Sequence, residues 1–429
     1  MPADAIDAWL QIWCQQYDAN DPRDSAYQIA AIRETSVGWR HLLRRAPELK
    51  AEAAFGTPGG GDDEREFGEF LTADEQRVYF KGCVFVTERG KILTPLATLL
   101  NSTQFNGSYG GKKFIIDQTG KATDEPWKAA TRSTLWRIPT VDKMRFLPSL
   151  PTGEIVRDEL GRTAANTYLP ARIDMTEGDV TLFLAHMARV IPDEGDRRIL
   201  FDWMAHVVKY PGHKIPWAPL IQSVEGVGKN VLKHVLSHAV GGTYLYQPKA
   251  AELAASGAKF NGWMRNRLVI LVDEIKTDGK TDLIETLKPL ISEEMIEMEN
   301  KGVDQEMADN LAHWIFFTNH RDAIPKTAND RRYAVFFSPL QSEEDLIVQG
   351  MDDEYFRRLY DDYLGHRTHR QGLKNVAHWL HHYPIERGAI PMRAPKTTSW
   401  AAAIEAGRNP LEQMIAEAVE CGENGFRDG

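Results

Sequence analysis

Residues 218–242 read APLIQSVEGVGKNVLKHVLSHAVGG. A short apolar strand (Leu220, Ile221) enters a loop carrying Gly226 and Gly228, and Lys229 then opens a helix whose Val231, Leu232, Val235 and Leu236 share one face. Gly241 and Gly242 lie beyond its end. Strand, glycine loop and helix in this order make a phosphate cradle. Glycines let backbone N–H groups turn inward, the helix N-terminus adds partial positive charge, and the lysine reaches the β and γ oxygens. The expected nucleotide contacts are therefore Glu225, Gly226, Val227, Gly228, Lys229, Asn230 and Val231. The match to GxxxxGK[ST] departs twice: Ser223 holds the first glycine position, and Asn230 replaces the hydroxyl residue that ligates Mg²⁺. An asparagine carbonyl is a hard oxygen donor, which keeps Asn230 as a candidate metal ligand. Gly111-Lys112 and Gly120-Lys121 also read GK, but no helix start follows either.

Working outward, the run Leu268 to Val272 is apolar throughout and ends in Asp273-Glu274. Such a run suits a strand buried on both faces, and ligands sit at the C-terminal ends of parallel strands. Asp273 is then expected to hold Mg²⁺ and Glu274 to act as general base on the attacking water. A second apolar strand, HWIFFTNH (313–320), ends in Thr318-Asn319, whose amide can bond both the γ-phosphate and the water. NDRRYAVFF (329–337) places Arg331 and Arg332 just before a further strand, where one could reach a neighbouring subunit's γ-phosphate. Between these strands, MIEMENKGVDQEM (295–307) alternates apolar and acidic residues around Asn300-Lys301-Gly302, which reads as a β-hairpin with Lys301 at its tip. A lone tip lysine is ordinarily solvated, yet one projecting into a ring's pore would meet a phosphate backbone.

Composition bounds the alternatives. The 429 residues suffice for about three domains, and 42% hydrophobic with 26% charged residues is an ordinary globular balance. A net charge of −10 leaves no basic blanket for nucleic acid, so any such contact must be local. Cys14, Cys83 and Cys421 form no CxxC pair, which argues against a disulfide framework or zinc knuckle and points to a reducing cytoplasm. No run approaches the length of a membrane span, and no basic, apolar leader opens the chain.

Along the chain the reading is a helical segment over 1–55, a Gly-rich then acidic linker over 56–75, and a small α+β module over 76–170 with extended runs RVYF, CVFV and KKFIID. A helical subdomain follows over 171–214, then an α/β nucleotide-binding domain over 215–340 and a C-terminal helical region over 341–429 whose last helix begins at Asn409-Pro410. The stretch HRTHRQGLKNVAHWLHHY reads as an ordinary helix with Leu373, Val376, Ala377 and Leu380 buried, and Trp203 and Trp217 as core.

EGVGKN, LVILVDE, MENKGVDQ, FFTN and DRRYAVFF, in this order, resemble the viral superfamily 3 helicases, particularly the C-terminal helicase part of phage and plasmid primase-helicase proteins. The resemblance is specific over 215–340, weaker over 77–214 and absent elsewhere. It implies a modified AAA+ P-loop NTPase domain, a ring that is usually hexameric, and ATP-driven movement on single-stranded DNA gripped by pore hairpins. Residue by residue it implies Lys229 and Asn230 at the phosphates and Mg²⁺, Asp273 and Glu274 as metal holder and base, and Asn319 as sensor. Lys301 with Gly302 becomes the DNA contact, and Arg332, ahead of Arg331, the arginine finger. A primase or polymerase is the further partner implied, in a bacterial host cell if the chain is phage- or plasmid-encoded. Nothing here resembles the metal-binding DxD strand of an archaeo-eukaryotic primase. Two other functions compete: a P-loop phosphotransferase acting on a small molecule, and a nucleotide-gated DNA-binding scaffold with little turnover, which Asn230 favours.

Overall fold

The computed structural model describes residues 70–249, 253, 261–275, 281–299, 306–324, 327, 329–365 and 367–407. The expected N-terminal segment (1–55), Lys301, Gly302 and the helix from Asn409-Pro410 lie outside the described residues.

Five strands form one parallel sheet: β1 (Ala218–Gln222), β2 (Leu245–Tyr246), β3 (Val269–Val272), β4 (His313–Thr318) and β5 (Tyr333–Phe337). Their spatial order is β2-β3-β4-β1-β5, every pairing parallel. Side chains alternate across the sheet, as period two requires. Ile221, Leu271, Ile315 and Phe317 join one core, while Leu220, Ile270, Val272 and Phe316 join the other. Both faces are thus covered, which is why β3 and β4 are buried from end to end.

The first core is closed by α1 (Thr181–Val190), α2 (Glu194–Lys209) and α3 (Asn230–Val240). Asp193 caps α2 by accepting the Asp196 N–H at 2.9 Å, and Trp203, Met204 and Val207 supply its buried face. Val231, Leu232, Val235 and Leu236 do the same for α3 and are almost fully buried, each contributing roughly 1.5–3 kcal/mol of apolar burial. The helix Gln371–His382 also packs here through Leu373, Val376, Ala377 and Leu380. The second core is closed by α4 (Thr281–Ser292) and a hairpin of β6 (Met295–Met298) and β7 (Glu306–Asp309), paired antiparallel with Met298 opposite Glu306.

Ahead of these helices lies a β-rich module whose core is aromatic: Phe80, Phe105 and Phe114 are at most 1% exposed. Two features differ from the sequence reading. Phe70–Leu71 pairs in parallel with Lys113–Phe114, so a strand lies inside the stretch read as linker. RVYF, read as extended, is largely helical, since Arg77, Val78 and Tyr79 belong to the helix Ala73–Tyr79. A capping box of Thr72 and Glu75 starts that helix, and fully buried Gln76 fixes it by donating to Leu71 O (2.8 Å) and Ile115 O (2.7 Å). The module is clamped to the hairpin by a two-pronged ion pair from Arg145 to Asp309 at the end of β7.

Candidate functional site

Chain direction and strand order together place the site. From β1 the connection runs across β4 and β3 to β2, whereas from β4 it crosses β1 in the other direction to reach β5. The neighbouring strands β1 and β4 therefore flank the switch point, where a crevice opens outside their C-terminal ends. The loop after β1 and Asn319 after β4 both lie there.

The loop's geometry follows from its sequence. Gly226 (φ +78°) and Gly228 (φ +88°) occupy left-handed backbone that a side chain would strain. At Gly228 space is closed as well, because a Cβ would stand 2.9 Å from His186 Cε1 and 3.2 Å from Phe356 Cε1. Val227 between them is fully buried and anchors the loop in the first core. Ser223, by contrast, is not among the residues of positive φ; it is buried, donates its N–H to Thr318 O at 3.2 Å, and so tolerates a side chain where the motif has glycine. Helix α3 starts at Asn230, and its N-terminus faces the crevice.

Lys229 Nζ sits at the centre. It donates to Asn319 Oδ1 at 2.8 Å and to the carbonyls of Ser223 (3.1 Å), Thr318 (3.3 Å) and Val224 (3.4 Å). Asn319 in turn donates Nδ2 to Glu225 Oε1 at 3.0 Å. Burial lowers the pKa of Lys229, and the carboxylates of Asp273, Glu225 and Glu274 pull it back up. Asp273 and Glu274 follow β3 on the same side; Glu274 takes a left-handed conformation (φ +55°) and gives its N–H to Asp273 Oδ1 at 3.1 Å. A non-glycine residue in that region costs of order 1–3 kcal/mol, a strain typical of functional sites.

These groups share one cavity of about 650 Å³. One end holds the loop from Glu225 to Asn230 with Asp273, Glu274 and Asn319; Val231, the remaining expected contact, is buried in the first core, with its N–H bonded to Gly228 O. The far wall comes from a segment that local sequence reading did not connect to the site: the helix Asp353–Arg357 and the π-helical turn Arg358–Leu364. Phe356, Arg357, Tyr360 and Asp361 line the cavity from there, Arg367 from the turn that follows, and His234 from α3. Tyr360 donates to Gly228 O at 3.3 Å and meets His234 edge-on. Three cations (Lys229, Arg357, Arg367) face four carboxylates (Glu225, Asp273, Glu274, Asp361). Among the described residues no three His, Cys, Asp or Glu side chains gather into a metal cage. Mg²⁺ needs none, since it keeps its waters, takes one or two protein oxygens, and draws the rest from substrate phosphates. Asn230 and Asp273 suit that role.

Arg331 and Arg332 are elsewhere. Arg332 O accepts from Ala218 N at 2.8 Å, the first residue of β1, so both arginines lie at the sheet edge opposite the loop. A five-residue strand separates them from the cavity, roughly 17 Å. Arg332 Nε is buried and has no hydrogen-bond partner among the described residues. The hairpin expected around Lys301 is present in its two strands, anchored by Asn261, which donates to Glu297 O and accepts from Glu299 N. Its tip, with Lys301 and Gly302, lies outside the described residues.

The fold and crevice thus define an α/β protein with a phosphate-loop-like site at the switch point of a parallel sheet. A family of unknown function, DUF5906, matches residues 221–332, the span from this loop to Arg332. The apo structure of the NrS-1 C-terminal region is similar in fold: TM-score 0.57 at 17% identity, covering 79% of this chain and 74% of that chain. Its A form gives TM-score 0.58 at 16% identity over the same shares, 79% and 74%. A ligand-bound JCV helicase aligns at TM-score 0.31 and 11% identity over 58% of this chain and 66% of that one, too low to bear on the fold. No curated protein sequence matches the chain.

Proposed function

We propose that the chain is an ATP-dependent DNA helicase or translocase of phage or mobile-element replication, built on a modified AAA+ domain. One observation carries the reading: Lys229, the Asp273-Glu274 pair and Asn319, far apart in sequence, line a single cavity at the sheet's switch point. The loop N–H groups and Lys229 bind the triphosphate, Asn319 senses the γ-phosphate and orients the water, and Glu274 takes the water's proton as it attacks phosphorus and ADP leaves. Mg²⁺, held by Asp273 and Asn230, would when bound neutralise charge on the β and γ oxygens.

In this reading the subunits form a ring, which gives a role both to the arginines at the far sheet edge and to the hairpin. Arg332, with Arg331 as the alternative, is too far from its own chain's loop to serve there, so the role it can take is toward a neighbour's γ-phosphate. The β6–β7 hairpin presents Lys301 to single-stranded DNA, and one lysine per subunit suffices where the net charge of −10 disfavours surface binding. Among the described residues no helix is long and apolar enough to cross a membrane. Asn230 supports the scaffold with little turnover as the second reading.

ATP turnover measured with and without single-stranded DNA separates the two. Stimulation by DNA is expected, and nucleotide binding without turnover would favour the scaffold. The Lys301→Ala protein should keep its basal rate and lose the stimulation; undiminished DNA affinity and unwinding would remove the pore role. Mixing Arg332→Ala subunits into wild type should depress activity more steeply than the mixing ratio, because each defective subunit disables its neighbour's site. Activity that falls only in proportion argues against action in trans.

A further inference from the structure

We propose that His186 is a positioning residue for the phosphate loop, tying the backbone of Gly228 to the C-terminal helical segment so that the loop keeps its N–H groups aimed into the cavity. The inference rests on the nucleotide reading above and extends it to a residue that is not among those lining the cavity.

His186 projects from α1 and is 1% exposed. On one side its Nδ1 lies 3.0 Å from the Tyr355 hydroxyl. The other side faces the loop: a Cβ on Gly228 would stand 3.1 Å from Nε2 and 2.9 Å from Cε1. The same glycine's carbonyl receives the Tyr360 hydroxyl at 3.3 Å, and Phe356 closes the remaining side. Two polar side chains from separate elements, His186 and Tyr360, therefore converge on one left-handed glycine at the turn of the loop. Tyr355 is itself fixed, with the Arg189 guanidinium over its ring at 5.1 Å.

The chemistry of the imidazole suits a strut. Burial lowers its pKa to about 4, against an opposing pull from the Gly228 backbone, so the ring is neutral near pH 7. A neutral ring has one donor and one acceptor nitrogen. With Tyr355 O–H donating to Nδ1, the proton belongs on Nε2, the nitrogen turned toward the Gly228 backbone; this tautomer is assigned from the network. A buried polar ring whose two edges address two elements holds their separation, whereas an apolar side chain of the same bulk fills the space and addresses neither. The loop conformation is then set from outside the sheet, by α1 and the 353–364 segment together.

The test uses His186→Gln, His186→Leu and Tyr355→Phe in the full chain, with calorimetric titration of a non-hydrolysable ATP analogue and of ADP in Mg²⁺, and steady-state hydrolysis. Glutamine can donate and accept at about the same reach, so it should stay within about threefold of wild type; leucine should weaken both nucleotides by about tenfold or more, raising KM more than it lowers kcat. Tyr355→Phe, which removes only one hydroxyl, should weaken binding by roughly three- to tenfold. Leucine binding as tightly as wild type overturns the strut, as does an equal loss in the glutamine and leucine proteins, which would mean that shape alone matters. Should the leucine protein not fold, wild-type affinity in Tyr355→Phe overturns it instead. A wild-type chain that binds neither nucleotide overturns the site reading along with the strut, whereas a wild type that binds beside an unaffected leucine variant overturns the strut alone.

Discussion

Replacing Lys229 with alanine is expected to lower ATP hydrolysis by about 10²–10³-fold or more, since one preorganised donor at a developing phosphoryl charge is worth that much. Its ammonium already rests on four oxygen acceptors, among them Asn319 Oδ1, in the place where phosphate oxygens would compete for it. Nucleotide affinity should fall with the rate, because the same charge offsets the repulsion between a triphosphate and the four carboxylates of the cavity. The fold should survive, for Lys229 itself lines the cavity, and truncating it opens a path by which water can take over the carbonyls it leaves. Hydrolysis by the alanine protein at the wild-type rate would refute the catalytic assignment.

Glu274→Gln is the second large effect, and its signature differs. The amide keeps the shape and the left-handed backbone of the glutamate but cannot accept the water's proton. A loss of about 10²–10⁴-fold in kcat is expected, the range general-base catalysis supplies. Nucleotide affinity should hold or tighten, since one negative charge leaves a cavity in which four carboxylates face three cations. Stable nucleotide complexes with unchanged DNA binding would accompany that loss. Weaker affinity at unchanged kcat would make Glu274 a binding residue, and no change in either constant would exclude it from the site.

Residues 77–80 show how a local pattern misleads. RVYF carries strand-forming residues, yet Arg77, Val78 and Tyr79 are helical because the capping box at Thr72 and the buried amide of Gln76 lie just upstream and outweigh β-propensity. Arg331 and Arg332 teach a second lesson. Both stand beside the strand Tyr333–Phe337, which borders β1, but a parallel strand has a loop edge and a far edge, and they precede it on the far one. Sequence adjacency to a strand does not say which edge.

What the sequence alone determined is the local chemistry. The strand, glycine loop and helix of 218–242 are legible because their information lies in neighbours: a two- or 3.6-residue period, two closely spaced glycines, a lysine at a helix start. The acid pair and Asn319 are legible for the same reason, each ending an apolar run that only a doubly covered strand requires. The tertiary structure alone decided that these ends converge, and that His186, Phe356, Tyr360 and Arg367 join them. The Tyr360–Gly228 contact spans 132 residues, and helical periodicity near residue 360 says which face is buried without naming what it is buried against. Such contacts follow from how whole layers pack on the sheet, a property of the complete chain that no short window of it contains.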